Sequence, residues 1–334
     1  MKTLGWKQIA LVLAAFGVVV VILSAIDVMP LDAASGLIVG SMGSGSTWKE
    51  TLKEMTPLLI AGLAVFVALR AGLFNIGAEG QMTIGAMAAA IVALKIPNTF
   101  GMMLAVVAGV GAGALWALPA GLIKAYRGGH EVITTIMLNN IALFLTIGLV
   151  SGPFNSPTAE GVTTSVLAEQ AWLPDAYQDL PFRVSWALVV AFALVWGMAL
   201  WFKRTVAGYE LSATGASESA AKTAGVEVKR VTVRAMAVSG ALAGLAGAFQ
   251  VLAYEHRFYG YFASGFGFDA LGVALLAGVS PWGVIPSAFL FAVLSKGTTS
   301  IQMLGVPKGL SGILLGLLII VFASYRYRRV KSHE

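Results

Sequence analysis

The sequence predicts an all-α polytopic membrane protein with about ten transmembrane helices, arranged as two inverted five-helix halves with broken helices near the midplane. Three observations support this fold class. Of the 334 residues, 58% are apolar and only 11% are charged, and the mean hydropathy is +0.84. Apolar runs of about 20 residues, long enough to cross a hydrocarbon core of about 30 Å, recur along the whole chain. Two glycine-rich breaks interrupt these runs at matching places in the two halves.

The first predicted span covers residues 8–29 and begins just after Lys2 and Lys7. It is longer than the apolar core of a cleaved signal peptide, so we expect a retained helix with its N-terminus inside. Nine further spans follow in order along the chain. They cover residues 57–71, 81–94, 102–123, 132–150, 186–202, 233–254, 268–279, 284–302 and 310–324.

The chain is interpreted as a single transmembrane domain, 1–334, with halves at 1–150 and 184–334. Ten spans place both termini on one side of the membrane. Fourteen of the 22 Lys and Arg residues fall on that side and six on the other. Because basic residues accumulate in cytoplasmic loops, both termini are expected in the cytoplasm. The loop at 151–183 carries four acidic residues and one arginine, which suits an external face.

A polar break at Arg70–Gln81 lies between two apolar runs. A charge inside a bilayer costs about 2.5 to 3.5 kcal/mol on insertion scales, so polar groups at that depth usually face a partner, a cavity or a solute. Gly72, Gly77 and Gly80 each weaken a helix by about 1 kcal/mol, which indicates a broken helix lining a path. A second break, Tyr261–Gly272, also follows the second span of its half. This matched placement predicts inverted halves around a central site.

The largest internal loop, 203–234, contains a predicted short helix. Good helix formers with small side chains follow Ser217, and Gly225 is suited to a C-cap. An alanine-lined helix at the cytoplasmic surface would let another protein approach closely, and its basic flank would meet acidic side chains or anionic lipid headgroups. The alternative is a solvated linker helix.

The composition excludes several kinds of chemistry. Without cysteine there can be no disulfide, thiolate nucleophile or Cys-ligated metal. The three histidines, His130, His256 and His333, show no metal-ligand spacing. No Ser/His/Asp or paired-carboxylate arrangement occurs, so we expect no catalytic residue, metal or cofactor. The net charge of +6 is distributed as membrane orientation requires and does not indicate nucleic-acid binding.

Three segments carry a resemblance to a known family: Leu69–Met87, Gly129–Ile141 and the Ala-Ala-x-x-x-Gly loop at Ala220–Gly225. They resemble the permease subunits of bacterial ABC importers, in the branch that includes ribose-type and branched-chain amino acid permeases. Within that branch the sequence is most similar to nucleoside-uptake permeases. The resemblance covers nearly the whole chain.

The resemblance implies an importer of the bacterial plasma membrane, in which this chain and a second, homologous permease form the pathway. Cytoplasmic ATPase subunits would drive it, and an extracytoplasmic binding protein or lipoprotein would deliver a small polar solute such as a nucleoside. The sequence has no G-x-x-x-x-G-K-[ST] phosphate loop, so ATP hydrolysis is expected in a separate subunit. Alternatives are a permease for a simple sugar or other small solute, and an ion-coupled secondary transporter. The last would need several intramembrane acids, and the spans offer only Glu79 and Asp269.

By the same resemblance, the loop around Gly215–Gly225 is the coupling helix that enters a groove on the ATPase. The Glu-Ala-Ala pattern of related importers is interrupted here by Ser219. The residues expected to make this contact are Gly215, Glu218, Ala220, Ala221 and Gly225.

Eight residues in or near the breaks are expected to line the solute pathway. Aromatic rings stack on flat ligands, and amide or carboxylate groups hydrogen-bond ring nitrogens and hydroxyls. The alternatives are phenylalanines that face lipid or core and an asparagine that caps the broken helix. The eight are Phe74, Asn75, Glu79, Gln81, Asn139, Phe266, Phe268 and Asp269.

Other polar residues within spans leave alternatives open. Asp269 and Lys296 either form an ion pair or face a wet cavity, unless Lys296 extends to the outer surface. Asn139 and Asn140 cannot face the same way, so one is expected to bond a neighbouring helix and the other to reach the pathway. Small residues that let helices approach closely are Gly109, Gly113, Gly240, Gly244 and Gly247.

Overall fold

The computed structural model describes residues 28–177, 184–262 and 265–302, with single helical positions at 17, 20, 21, 24 and 313. Residues 56–288 form one compact unit, and residues 1–55 with 289–334 form another. The predicted spans at 8–29 and 310–324 lie outside the continuous described ranges. Apart from one small sheet, the regular structure in these ranges is helical.

The α-helices are α1 Pro30–Met42, α2 Gly45–Arg70, α3 Ala78–Lys95, α4 Thr99–Arg127, α5 Glu131–Ser151, α6 Trp186–Arg204, α7 Val206–Ala216, α8 Glu218–Thr223, α9 Val228–Phe249, α10 Phe266–Ala277 and α11 Val284–Gln302. A π-helical turn, Gln250–Glu255, continues α9. Short 3-10 turns cover Glu169–Ala171 and Pro281–Gly283. In the predicted external loop, β1 Asp175–Tyr177 pairs antiparallel with β2 Val184–Ser185.

Six helices in the described part of the chain are long and apolar enough to cross a membrane, so the protein is a polytopic membrane protein. They are α2, α4, α5, α6, α9 with its π-helical turn, and α11 with the preceding 3-10 turn. Helix α3 has 18 residues, but Glu79 and Gln81 in its first turn lower its hydropathy. Helix α10 has 12 residues and is therefore about 18 Å long, too short to cross a core of about 30 Å alone. The count of ten spans and the division into inverted halves stay predictions.

Two features of the N-terminal region differ from the sequence prediction. Helix α1 lies where no helix was predicted, and Pro30 occupies its first turn, where a missing N–H costs nothing. Helix α2 begins at Gly45 rather than near Pro57, which lies inside it. Proline is tolerated within membrane helices because neighbouring groups satisfy the freed backbone. Because the predicted span began at Pro57, the prediction omitted residues 45–56, about half of α2.

The centre of the unit formed by residues 56–288 is helix α9. In its most apolar stretch 83% of the residues are buried, against 17% for α5. A β-carbon added at Gly244 would lie 2.9 Å from the α-carbon of Gly113 on α4, and one at Gly240 or Gly247 would overlap backbone atoms of α4 or α3. The predicted close-approach packing of these glycines is confirmed.

The unit formed by residues 1–55 and 289–334 contains the charge pairing of Lys296. Its Nζ lies 3.4 Å from a carboxylate oxygen of Glu50 and 3.4 Å from one of Glu54, both on α2. The hypothesis that Lys296 forms an ion pair with Asp269 did not include Glu50 or Glu54. They were missed because α2 was predicted to begin after Glu50 and Glu54.

Candidate functional site

Within the first break, Arg70–Gln81, residues 71–77 form an irregular connection between α2 and α3. Helix α2 ends at Arg70, and Gly72 has φ +76°, a left-handed conformation that glycine adopts without steric cost. The N–H of Leu73 bonds back to the carbonyl of Ala68 at 3.0 Å. The chain becomes helical again at Ala78. Between two apolar helices, this non-helical backbone needs hydrogen-bond partners from the protein.

Helix α5 supplies several of those partners from one face. Asn139 accepts a hydrogen bond on Oδ1 from the N–H of Gly80 and donates one from Nδ2 to the carbonyl of Ile76, both at 2.9 Å. About two turns earlier on α5, at its first residue, Glu131 Oε1 accepts the N–H of Phe74 at 3.5 Å. Glu131 also pairs with Lys124. Asn139 thus bonds a neighbouring segment, as one of the two adjacent asparagines was expected to do.

A buried polar cluster locks the break from the other side. Asn75 and Gln81 exchange two hydrogen bonds, at 2.9 and 3.1 Å, and Asn75 Nδ2 also donates to Ser239 Oγ on α9 at 2.8 Å. Asn75 Oδ1 further accepts the N–H of Gly77 at 3.0 Å, next to the start of α3. Asn75 is 0% exposed and Gln81 is 1% exposed. Their polar atoms therefore bind the protein itself.

Glu79 joins the first break to the second. Its Oε1 accepts the N–H of Gly265 at 2.8 Å, and its Oε2 accepts the N–H of Gly267 at 2.6 Å. These groups belong to the N-terminal end of α10, where a negative charge is stabilised by the helix dipole. A β-carbon at Gly267 would overlap the backbone of Glu79, so the two segments are in direct contact.

A cavity of about 230 Å³ opens where the two breaks meet. Its wall combines aromatic rings from the second break with one face of α5 and the first turns of α3. Tyr261 is 72% exposed and Phe268 is 51% exposed. Phe262 is buried and stacks on Phe258, with ring centroids 4.9 Å apart. The lining residues are Glu79, Thr83, Ile136, Asn139, Asn140, Leu143, Tyr261, Phe262 and Phe268.

The structure brings three of the eight predicted pathway residues to this cavity: Glu79, Asn139 and Phe268. Asn75 and Gln81 are held in the buried cluster instead. Phe74 is 46% exposed but does not line this cavity. Phe266 and Asp269 lie in the first turn of α10, half-buried and outside the lining.

The sequence held a signal for most of the lining residues that were not predicted, which are Thr83, Ile136, Leu143, Tyr261 and Phe262. Asn140 had been an alternative to Asn139 as the asparagine that reaches the pathway. Ile136, Asn139, Asn140 and Leu143 recur at the spacing of one helical face, and Thr83 lies one turn after Glu79. Applying the helical repeat to the two predicted positions would have found this set. Tyr261 begins the second break and was counted only as part of its boundary.

The predicted short helix in the 203–234 loop is present as α8. Ser217 caps it by accepting the N–H of Ala220 on Oγ at 3.3 Å, and Gly225 follows its end with φ +87°. Glu218, Ala220 and Gly225 are exposed, whereas Ala221 is only 4% exposed. Three of the predicted contact residues thus lie on the accessible surface of this segment, and Ala221 packs inward.

The preceding helix, α7, contacts the first break. Arg70 Nη2 donates to Ser212 Oγ at 3.0 Å. A β-carbon at Gly72 would lie 3.3 Å from the α-carbon of Gly215, and one at Gly215 would overlap the carbonyl oxygen of Arg70. The fifth predicted contact residue, Gly215 on α7, therefore makes a backbone-to-backbone contact with Arg70 and Gly72.

Comparison with known proteins identifies the family of this chain. The sequence matches the family described as "Branched-chain amino acid transport system / permease component" over residues 49–323. It is 33% identical to the nucleoside ABC transporter permease protein NupB of Lactococcus lactis, over 91% of this chain and 86% of that protein.

Two further relatives differ in the solute that their names carry. The chain is 36% identical to the guanosine ABC transporter permease protein NupP of Bacillus subtilis, over 82% of this chain and 80% of that protein. It is 34% identical to the glucose ABC transporter permease protein TsgB13 of Haloferax volcanii, over 92% and 84%. The protein therefore belongs to the family of permease components of branched-chain amino acid transport systems, and it is a permease subunit of an ABC transporter.

Proposed function

We propose that this permease forms part of a membrane pathway for nucleoside uptake and that the cavity between the two breaks is where the solute passes. The observation that carries the proposal is the make-up of the cavity wall. Exposed rings of Tyr261 and Phe268 offer flat apolar faces beside the amide of Asn140 and the hydroxyl of Thr83. A nucleoside presents a flat base together with polar edges and hydroxyls, which such a wall complements.

The size and charge of the cavity favour a small, uncharged solute. Its volume of about 230 Å³ lies just below the range of about 300 to 1,000 Å³ typical of pockets for drug-sized ligands. Among the residues that the structure describes, none of those lining the cavity is Lys, Arg or His, and Glu79 adds a carboxylate. A phosphorylated solute would therefore meet negative charge without a cationic partner.

A sugar is the second candidate, and the similarity to a glucose permease favours it. Aromatic rings also stack on sugar faces, so the wall does not discriminate by that contact alone. Two of the three relatives named above are nucleoside or guanosine permeases, which supports the nucleoside. An ion-coupled secondary transporter has less support, because both oxygens of the one carboxylate in this wall already accept backbone N–H groups.

The proposed assembly contains a second, homologous permease, ATPase subunits and an extracytoplasmic binding protein or lipoprotein. We place both termini, and the α7–α8 loop, on the cytoplasmic side because of the predicted loop charges. Exposed Glu218, Ala220 and Gly225 would then face the ATPase. The contact of Gly215 with Arg70 and Gly72 would carry movement from this surface into the first break. Two inverted halves would meet at the cavity.

Uptake in cells tests the proposal. The gene for this chain is deleted from the host and then restored. The uptake of labelled nucleosides, glucose and ribose is compared between the restored strain and the deletion strain. Nucleoside uptake that depends on the chain and on ATP supports the function. Uptake of sugars alone, or uptake that survives ATP depletion with an intact ion gradient, contradicts it.

The lack of cysteine allows a second test that addresses the cavity directly. Ile136→Cys places a single thiol in the wall, and Gly197→Cys places one on α6, where an added β-carbon meets no atom within 4 Å. In membranes that contain the assembled transporter, saturating nucleoside should slow maleimide labelling at position 136 and leave position 197 unchanged. Equal labelling with and without nucleoside would move the pathway elsewhere.

A further inference from the structure

Thr83, Asn139 and Asn140 in the cavity wall each donate one hydrogen bond to a backbone carbonyl of the protein. Thr83 Oγ1 donates to the carbonyl of Glu79 at 2.8 Å, and Asn140 Nδ2 donates to the carbonyl of Ile136 at 3.0 Å. Asn139 Nδ2 donates to the carbonyl of Ile76 at 2.9 Å. These bonds also fix which end of each amide is the nitrogen, because only N–H can donate to a carbonyl.

What the wall still offers is mainly acceptors. Within the described ranges, no group donates to Asn140 Oδ1. The hydroxyl oxygen of Thr83 keeps its lone pairs. The carboxylate of Glu79 accepts the backbone N–H groups of Gly265, Gly267 and Phe268, and its two oxygens can accept about four hydrogen bonds in all. The donor that remains on Asn140 is the second N–H of Nδ2, which the bond to Ile136 does not use. A ligand that fills this cavity therefore meets more acceptors than donors.

The position of Asn140 strengthens this reading of the wall. Its exposed neighbours on α5, Met137, Ile141 and Phe144, are 58%, 53% and 69% exposed and entirely apolar. An amide carbonyl on such a helix is costly unless a polar group meets it. The cavity, which Asn140 lines, is where that group can come from.

We propose that the cavity selects nucleosides by the hydrogen-bond donors that they carry, above all exocyclic amino groups, and that Asn140 is a specificity-determining residue. This inference rests on the proposed function and names the substrate class of the same site. A nucleoside without the amino group leaves the carbonyl of Asn140 desolvated and unpaired. A site built for a hydrogen bond rejects a ligand that lacks it more strongly than an apolar pocket rejects a misfit.

Two pairs of nucleosides isolate the amino group. Guanosine differs from inosine, and adenosine from purine riboside, by one exocyclic amino group. Uptake is measured in cells that carry the complete transporter, over a range of concentrations. We expect the amino member of at least one pair to have a half-saturation concentration about three- to tenfold lower, the effect of one net hydrogen bond.

Asn140→Leu removes the acceptor while keeping a side chain that suits an exposed membrane helix. It should bring the two members of the pair to within about twofold of each other, mainly by raising the half-saturation concentration of the amino member. Thr83→Val is a second variant, expected to act in the same direction with a smaller effect. Thr134→Val is the matched control, because Thr134 also bonds a carbonyl of its own helix, that of His130, but does not line the cavity.

The outcomes separate this inference from the proposed function. Uptake of all nucleosides with equal half-saturation within each pair keeps the function and overturns the inference. So does a difference that survives in Asn140→Leu, or a difference that Thr134→Val abolishes equally. The Asn140→Leu chain could also be expressed at the normal level and yet be missing from the assembled transporter. That result would show that Asn140 makes a contact between subunits, and it would overturn the inference. No chain-dependent uptake of any nucleoside overturns both.

Discussion

The two breaks differ in what they do with their polar and aromatic residues. In the first break Asn75 and Gln81 are buried and bonded to each other, and Asn139 holds the backbone on either side. In the second break Tyr261 and Phe268 are exposed into a cavity. Symmetric placement in the sequence therefore does not mean equal roles. The first break is held in place by hydrogen bonds within the protein, and the second has exposed aromatic rings that line the cavity.

The contrast between the two segments would be wrong if the polar cluster of the first break were dispensable for stability. Asn75→Ala leaves the N–H of Gly77 and the side-chain amide of Gln81 without a partner, and each buried group of this kind costs about 1 to 3 kcal/mol. It also removes one of the two hydrogen bonds of Ser239 Oγ, whose bond to the carbonyl of Ala64 remains. We expect a loss of more than about 3 kcal/mol of stability, measured as a large fall in the melting temperature of the detergent-solubilised protein. Asn140→Ala, at an exposed amide, is the control and should change it little.

A milder change at Glu79 tests whether one break positions the other. In Glu79→Gln one backbone N–H at the start of α10 loses its acceptor and faces an NH₂ group. Charge-assisted bonds of this kind are worth about 1.5 to 3 kcal/mol, so nucleoside uptake should fall about tenfold or more. Glu227→Gln, at an exposed pair with Arg230, is the matched control. Full uptake by Glu79→Gln would show that transport does not depend on the hydrogen bonds by which Glu79 holds the second break.

Gly215→Ala sharpens the comparison from the side of α7. The added methyl group would overlap the carbonyl oxygen of Arg70, and overpacking of this kind costs about 1 to 3 kcal/mol. We expect uptake to fall several-fold while the ATPase still copurifies and hydrolyses ATP. Gly197→Ala, whose methyl group meets no atom within 4 Å, should leave both unchanged. Loss of ATPase binding in Gly215→Ala would instead make Gly215 a docking residue.

The smallest expected effect compares two similarly exposed rings. Phe268→Leu removes an aromatic face from the cavity, and a stacking contact is worth about 0.5 to 1.5 kcal/mol, so the half-saturation concentration should rise about two- to tenfold. Phe74→Leu changes a ring outside the cavity and should have less effect. An equal rise in both variants would place the solute along the first break as well.

Local patterns in the sequence predicted local structure well. The short helix after Ser217, its glycine end and the glycine packing of α9 on α4 all depend on neighbouring residues or on one helical face, and each is present. Proline misled at α2, because the sequence does not show which neighbour satisfies a freed backbone group.

Partners distant in the sequence were beyond such patterns. Asn75 was known to lie in a break, but its bond to Ser239 joins residues 164 positions apart. That bond decides whether Asn75 faces a solute or the protein core. The meeting of Glu79 with Gly265 was expected only in outline, from the matched placement of the breaks.

The double hydrogen bond of Asn139 also constrains how the protein is made. It satisfies backbone groups 59 and 63 positions earlier in the chain, and Glu131 satisfies one 57 positions earlier. During synthesis the first break emerges long before α5, and its backbone cannot face lipid unbonded. We therefore expect α2 and α3 to stay at the insertion machinery until α5 is made, and α2 to α5 to enter the bilayer as one group. A variant that lacks the Asn139 amide should be degraded during biogenesis rather than fail in transport.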